Sequence, residues 1–287
     1  MNLYRVLEEP TDLRSPALIV SFEDWVDAGS AGSTAAQRIA EGGIVVVEFD
    51  SDALFDYRAH RPTLDIVAGV PKRFEWPEIT ITLRRLSERD VFVLRGSEPD
   101  RAWKAFGSAV TDFALAHGVV QHVSIGAIPA AVPHTAPTPV MMTGSDASLM
   151  TGNNIEGLLR VPAAAVSLVE WSMAAAGLPA VGFWAQVPHY ASPYAAGSIA
   201  LIRKVEAFLG VTIGAGELET EMAAQMQVLE EAIAANPESS AYIERLQSLV
   251  GEQEVPPADR IGEEVERFLR ARRRGDDGPN PFGPSER

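Results

Sequence analysis

Ala17-Leu-Ile-Val-Ser-Phe22 leads through the turn Asp27-Ala-Gly-Ser-Ala-Gly32 into the stretch Ser33–Ala40, and from there into a second apolar run, Ile44–Phe49. The first run is apolar almost throughout rather than alternating, as expected for a strand covered on both faces. Ala35, Ala36 and Ile39 fall on one side of the following helix, and Gly42 and Gly43 end it. Strand, turn, helix and strand in that order predict a right-handed parallel crossover.

The same rhythm returns downstream. Val91–Leu94 reads as a strand, and Asp100–His117 as a helix carrying Trp103, Phe106, Val110, Phe113 and Leu115 on a broad apolar face. Gly118 stops that helix before a strand at Val119–Ile125. Val140–Thr143 reads as a short strand, Pro162–Ala176 as a helix with Pro in its first turn and Gly177 at its end, and Ala180–Val187 as another strand. Ser192–Leu209 is an amphipathic helix with Ile199, Ile202, Val205 and Leu209 on one face. The expected fold class is α/β, a three-layer α/β/α core with a mostly parallel sheet.

The rhythm breaks between Leu54 and Leu86. Leu54–Arg58, Thr63–Val67 and Glu78–Arg85 look extended, and Pro62, Pro71 and Pro77 punctuate them. Ile79, Ile81 and Leu83 alternate with Thr80, Thr82 and Arg84, the period of a half-exposed strand. These features predict a β-hairpin insertion with Glu78–Arg85 at an edge. Natural proteins cover or pair such an edge, so a homo-oligomer is expected.

After Gly210 the pattern becomes helical. Leu218, Met222, Met226, Leu229 and Ile233 form one stripe, ended by Asn236-Pro237. Ser239 or Ser240 is placed to cap a second helix carrying Tyr242, Leu246, Leu249 and Val250. Asp259–Arg274 reads as a third, highly charged helix. The predicted domains are a core over 1–214, a helical subdomain over 215–274 that could serve as a lid, and a disordered tail over 275–287.

Composition narrows the function. Among 287 residues, 24 Lys and Arg stand against 39 Asp and Glu, a net charge of −15 that repels phosphate backbones and argues against a nucleic-acid partner. The absence of Cys removes disulfides, thiolate metal sites and Cys nucleophiles. The five His lack helical metal spacing, and no phosphate-loop, dinucleotide-binding or nucleophile-elbow motif occurs. No metal or cofactor is expected. The N-terminus lacks the pattern of a signal peptide, and no window has the apolar length of a membrane span, so a cytoplasmic protein without a membrane partner is expected.

Candidate site residues follow from position. Ligands of open α/β sheets sit beyond the carboxyl ends of the strands. Asp24, Asp27 and Gly29 follow the first strand; Ser97 and Glu98 follow Leu94; His134 follows the strand ending at Ile125; His189 and Tyr190 follow Val187. The tripeptide Val-Pro-His recurs at Val132–His134 and Val187–His189, which predicts two imidazoles on one rim. Asp24 or Asp27 alternatively caps the following helix, and Gly29 alternatively serves the turn.

Leu54-Phe-Asp-Tyr-Arg58 with Arg61-Pro62, Val132-Pro-His-Thr135 and Val187-Pro-His-Tyr190 resemble the proteasome assembly chaperone 2 family, most closely its actinobacterial branch, from Pro16 to about Val250. The resemblance implies a core like that of nucleoside phosphorylases, a helical C-terminal addition, a homotrimer, and protein partners such as proteasome subunits. Three functions remain open: a protein-binding factor without turnover, a small-ligand-binding oligomer, and a hydrolase- or phosphorylase-type enzyme with His134 or His189 as general base and Asp24 or Asp27 as orienting group.

Overall fold

The computed structural model describes residues 3–151 and 157–251. In chain order the elements are β1 (Tyr4–Val6), β2 (Ala17–Phe22), α1 (Ala31–Ala40), β3 (Ile44–Phe49), α2 (Ser51–Leu54), β4 (Thr63–Val67), β5 (Val70–Glu75), β6 (Ile79–Arg85), β7 (Asp90–Gly96) and α3 (Trp103–Ala116). They continue with β8 (Gln121–Ala130), β9 (Val140–Gly144), α4 (Ala165–Ala175), β10 (Ala180–Pro188), α5 (Ala195–Leu209), α6 (Leu218–Ala234) and α7 (Pro237–Gly251). The charged segment Asp259–Arg274, the predicted tail at 275–287 and the far end of the 215–274 unit lie outside the described residues.

Eight strands form one sheet in the order β1-β3-β6-β7-β2-β8-β10-β9. β7, β2, β8 and β10 are parallel neighbours, and antiparallel pairings add β6, β3 and β1 on one side and β9 on the other. β3 therefore runs with the parallel group, and five strands deliver their carboxyl ends to one rim. α1 and α5 pack together on one face, with Ile19, Val93 and Val123 beneath them; α3 and α4 pair on the other, over Leu18, Phe92 and Leu94. The expected three layers are present. Every residue of β2 is buried because both faces are covered. Among the described residues, no helix is long and apolar enough to cross a membrane.

Several expectations need correction. β6 is an interior strand between β3 and β7, and Ile79 to Leu83 are all buried. Thr82 is covered by the chain just beyond α1, where Gly43 lies against its side chain, and Thr80, 8% exposed, borders the cleft described below. The argument for an oligomer from an exposed β6 edge falls with that strand. The edges are instead β1 and β9, of 3 and 5 residues, short strands that offer little ladder to another chain. Strands β2 and β3 point the same way, but β7 and β6 lie between them, so their crossover spans two strands.

The insertion is the hairpin β4–β5, a separate two-stranded sheet in which Leu64 opposes Phe74 and Asp65 opposes Arg73. Leu54–Arg58 is not extended: Leu54 closes the short α2, whose first turn is capped by Asp50. α4 begins at Ala165 rather than Pro162. On α3, Leu115 is exposed while Phe106, Val110 and Phe113 are buried. At α7 the cap is Asn236, whose Oδ1 accepts from the N–H groups of Glu238 and Ser239, with Pro237 in the first helical position.

Candidate functional site

The side chains on the rim gather in two groups. Beyond β8 and β10, His134 is buried, and the Tyr190 hydroxyl oxygen accepts from its backbone N–H at 3.0 Å and lies 3.1 Å from its Nδ1. The hydroxyl can therefore donate to Nδ1 of a neutral imidazole. Burial lowers the His134 pKa against the nearby Glu230 charge, which favours that neutral form. Its Nε2 is buried without a hydrogen-bond partner among the described residues. His189 packs edge-on against Tyr190 at 5.4 Å and against Tyr242 of α7 at 5.6 Å. The two predicted imidazoles thus meet around one tyrosine.

The helical pair α6–α7 sits over this group. Gln247 donates to Thr135 Oγ1 at 2.9 Å, and Gln225 accepts from the N–H of Ala195 at the start of α5. Arg245 stands 5.8 Å above the Tyr242 ring.

The second group lies beyond β2 and β7. His60 bridges two carboxylates, with Nδ1 2.9 Å from Asp100 and Nε2 3.2 Å from Asp24. Burial alone would lower the His60 pKa, but the bonds and charges of Asp100 and Asp24 outweigh it and raise the value. Asp24 is held at a φ of 81°, a strained conformation for a residue with a side chain. Glu98 accepts from the Ala165 N–H at the start of α4, at 2.6 Å. Burial pushes its pKa up to about 7, with Asp24 adding to the rise.

Asp27 and Gly29 do local structural work. Asp27 Oδ1 accepts from the N–H groups of Gly32 and Ser33, satisfying the first turn of α1. Its pKa is nevertheless raised, chiefly by burial. Gly29 has a φ of +61°, and a Cβ there would come within 2.9 Å of the Tyr194 Cβ, so the turn closes against α5. Ser97 lies 3.5 Å from Glu23, on the wall of a cleft of about 1080 Å³ between the rim and the β4–β5 hairpin.

The structure therefore joins His134, His189 and Tyr190, and separately joins Asp24 with the neighbourhood of Glu98. His60, Asp100 and the cleft residues Tyr57, Trp76 and Arg95 escaped the sequence reading. The signal that could have found two of them is the Leu54–Arg58 motif with its flank. Tyr57 enters the cleft, and Asp56 ties the loop down by pairing with Arg101 at 2.8 Å and donating its N–H to Asp100.

A mixed α/β/α sheet with an exposed hairpin on one flank and a helical pair seated over its rim defines a fold shared with several solved structures. A family model matches residues 21–233, and the chain belongs to the PAC2 family. A Mycobacterium tuberculosis protein of unknown function, Rv2714, superposes with a TM-score of 0.85 at 28% identity, covering 93% of this chain and 96% of its own. The M. tuberculosis proteasome-assembly chaperone homologue Rv2125 is 32% identical with a TM-score of 0.72, over 79% of this chain and 99% of that one. PbaB, an archaeal proteasome activator from Pyrococcus furiosus, shares the fold at 16% identity and a TM-score of 0.63, over 80% of this chain and 99% of its own. No curated protein matches the chain.

Proposed function

We propose that this chain is a chaperone-type binding protein that holds a protein partner without turnover, the partner being of the proteasome-subunit class, and that it works as a cytoplasmic homotrimer. The observation that carries the reading is the β4–β5 hairpin. Every residue of both strands is exposed, Leu64, Ile66, Val67, Val70 and Phe74 among them. A lone two-stranded sheet is marginal in water, and strand alternation puts Leu64, Ile66 and Phe74 on one of its faces, an exposed apolar group of the kind that marks an interaction site. The name of the 32% identical relative supports the class of partner. The rim fits the same reading, since His134 Nε2 is buried and so poorly placed to meet a substrate.

The test mixes the purified full chain with purified proteasome subunits of its own host and follows complexes by native mass spectrometry. A complex of defined stoichiometry is expected, lost in the double variant Ile66→Lys, Phe74→Lys with the melting temperature of the sheet domain unchanged. No complex at micromolar concentration, or one that the double variant leaves intact, would count against the hairpin as the docking surface. Light scattering of the chain alone reads the trimer; a monomer mass would remove that part.

A further inference from the structure

We propose that the cleft between the rim and the β4–β5 hairpin is a binding site for an organic cation, an ammonium or guanidinium group carried on an apolar body. The inference does not rest on the proteasome reading, although Phe74 belongs to both surfaces. The cleft has the volume of a small-molecule site, about 1080 Å³, and opens where the carboxyl ends of β3 and β7 meet the start of β6.

Three aromatic rings form one wall. Trp76 stacks on Phe74 at 5.3 Å and meets Tyr57 edge-on at 4.8 Å. Trp76 is nevertheless 51% exposed and Phe74 52%, so the rings are fixed by one another and still present open surface to the cleft. An indole with a neighbouring phenol and phenyl is the favoured surface for a cation, which is drawn to the negative ring faces.

The charges select the same ligand. The cleft is lined by Glu23, Glu48, Asp50, Asp52, Glu75 and Glu78, against Arg5, Arg73 and Arg95. Arg5 is engaged by Glu48 at 2.8 Å and Arg73 by Glu75 at 2.6 Å. Arg95 is not paired in this way: its Nε is buried without a hydrogen-bond partner among the described residues, although its charge opposes the burial-driven rise of the Glu23 pKa. Asp50, Asp52 and Glu78 are left without a basic counterpart among these three arginines. Asp50 is occupied in capping α2. Asp52 accepts the Tyr57 hydroxyl at 2.7 Å, which places a carboxylate beside the aromatic wall. Burial and Asp52 together push the Tyr57 pKa up to about 12, so the hydroxyl stays a donor at neutral pH. A phosphate or carboxylate ligand would meet net repulsion, and an uncharged aromatic would leave the acidic wall uncompensated. A cation satisfies both walls.

Two sources carry this chemistry: a free small molecule, and a Lys or Arg side chain of a polypeptide. Isothermal titration of the full chain with choline, with its uncharged isostere 3,3-dimethylbutanol and with an acetylated, amidated arginine peptide separates them. Saturable binding of at least one cation is expected, with the isostere weaker by about tenfold or more. Tighter binding of choline assigns the site to a small molecule, and tighter binding of the peptide assigns it to a basic side chain. Trp76→Leu keeps an apolar side chain but removes the ring, and Asp52→Asn removes the charge. Each should weaken the bound cation about tenfold. If Trp76→Leu disturbs the hairpin, Asp52→Asn decides, since Asp52 lies on α2. Failure of both cations to bind, equal binding of the isostere, or wild-type affinity in the Asp52→Asn variant would overturn the proposal.

Discussion

His60 and Glu98 tie the stability of the rim to pH. The folded-state pKa of His60 is raised by Asp100 and Asp24 beyond what burial takes away, so its contribution is whole below the ordinary value of 6.5. It is lost as pH rises through the raised value. Glu98 has the same sign: burial raises it from 4.5 to about 7, so the fold prefers the protonated acid and loses that contribution as pH climbs from 4.5 through 7. These two groups therefore pull stability down between pH 5 and pH 8, against buried His122 and His134, whose lowered values raise it over the lower part of that range, so the effect of Glu98 is read as a difference between parent and variant. Glu98→Gln keeps an oxygen for the Ala165 N–H but cannot ionise. Relative to the parent, it should gain stability progressively as pH rises from 5 and exceed it at pH 8 by on the order of 2 kcal/mol. Calorimetry across that range checks it, and parallel curves for parent and variant would refute the assignment. His122 acts in the opposite sense. Burial lowers its pKa to about 3, so its contribution is present above 6.5 and fades as the solution becomes acid.

At the scale of elements, the parts legible in the sequence were those where polarity and coverage coincide. β2, α1, β10 and α5 each carry an apolar pattern that the structure buries. β6 reads as half-exposed although it is interior, because its threonines are polar yet buried and periodicity reports polarity alone. The His134–His189 meeting was legible because both follow strands of the same direction. The His60 cluster was not, because it joins loops 36 and 40 residues apart, and no local pattern records that approach.

Glycines expose the same limit and offer a test. Gly96 ends β7 at a φ of +138°, and a Cβ there would lie 1.9 Å from the Glu78 carbonyl oxygen at the start of β6. Gly118, after α3, also has a positive φ, +65°, but nothing within 4 Å of its Cβ position. Gly118→Ala should cost about 1 kcal/mol from backbone strain alone. Gly96→Ala should cost more than about 3 kcal/mol, because the β6–β7 ladder must move as well. Equal urea midpoints for the two variants would show that the approach of β6 and β7 is not what selects glycine.

The whole molecule turns on whether α6 and α7 are an appended cover or part of the core. Leu218, Ile243 and Leu246 are at most 6% exposed, and they belong to the same apolar cluster as Ile19 and Val123 of the sheet and Ile202 of α5. Met222, Met226, Leu229 and Ile233, the stripe read from the sequence, pack against that cluster from outside. α6 meets α5 directly, and Tyr242 closes on His189 at the rim. Helices of this length are marginal alone in water, so their order depends on the face they share with α5. The helical pair and the sheet should then unfold together. Leu246→Ala removes a side chain 3% exposed and should destabilise by about 2–5 kcal/mol, spread over one cooperative transition. If the pair were a cover hinged on a self-sufficient core, the same substitution would melt the helices early and leave the main transition where it was. Calorimetry reads the number of transitions. Hydrogen exchange reads whether the amides of β10 lose protection together with those of α6; protection kept in β10 while α6 opens would establish the hinged cover instead.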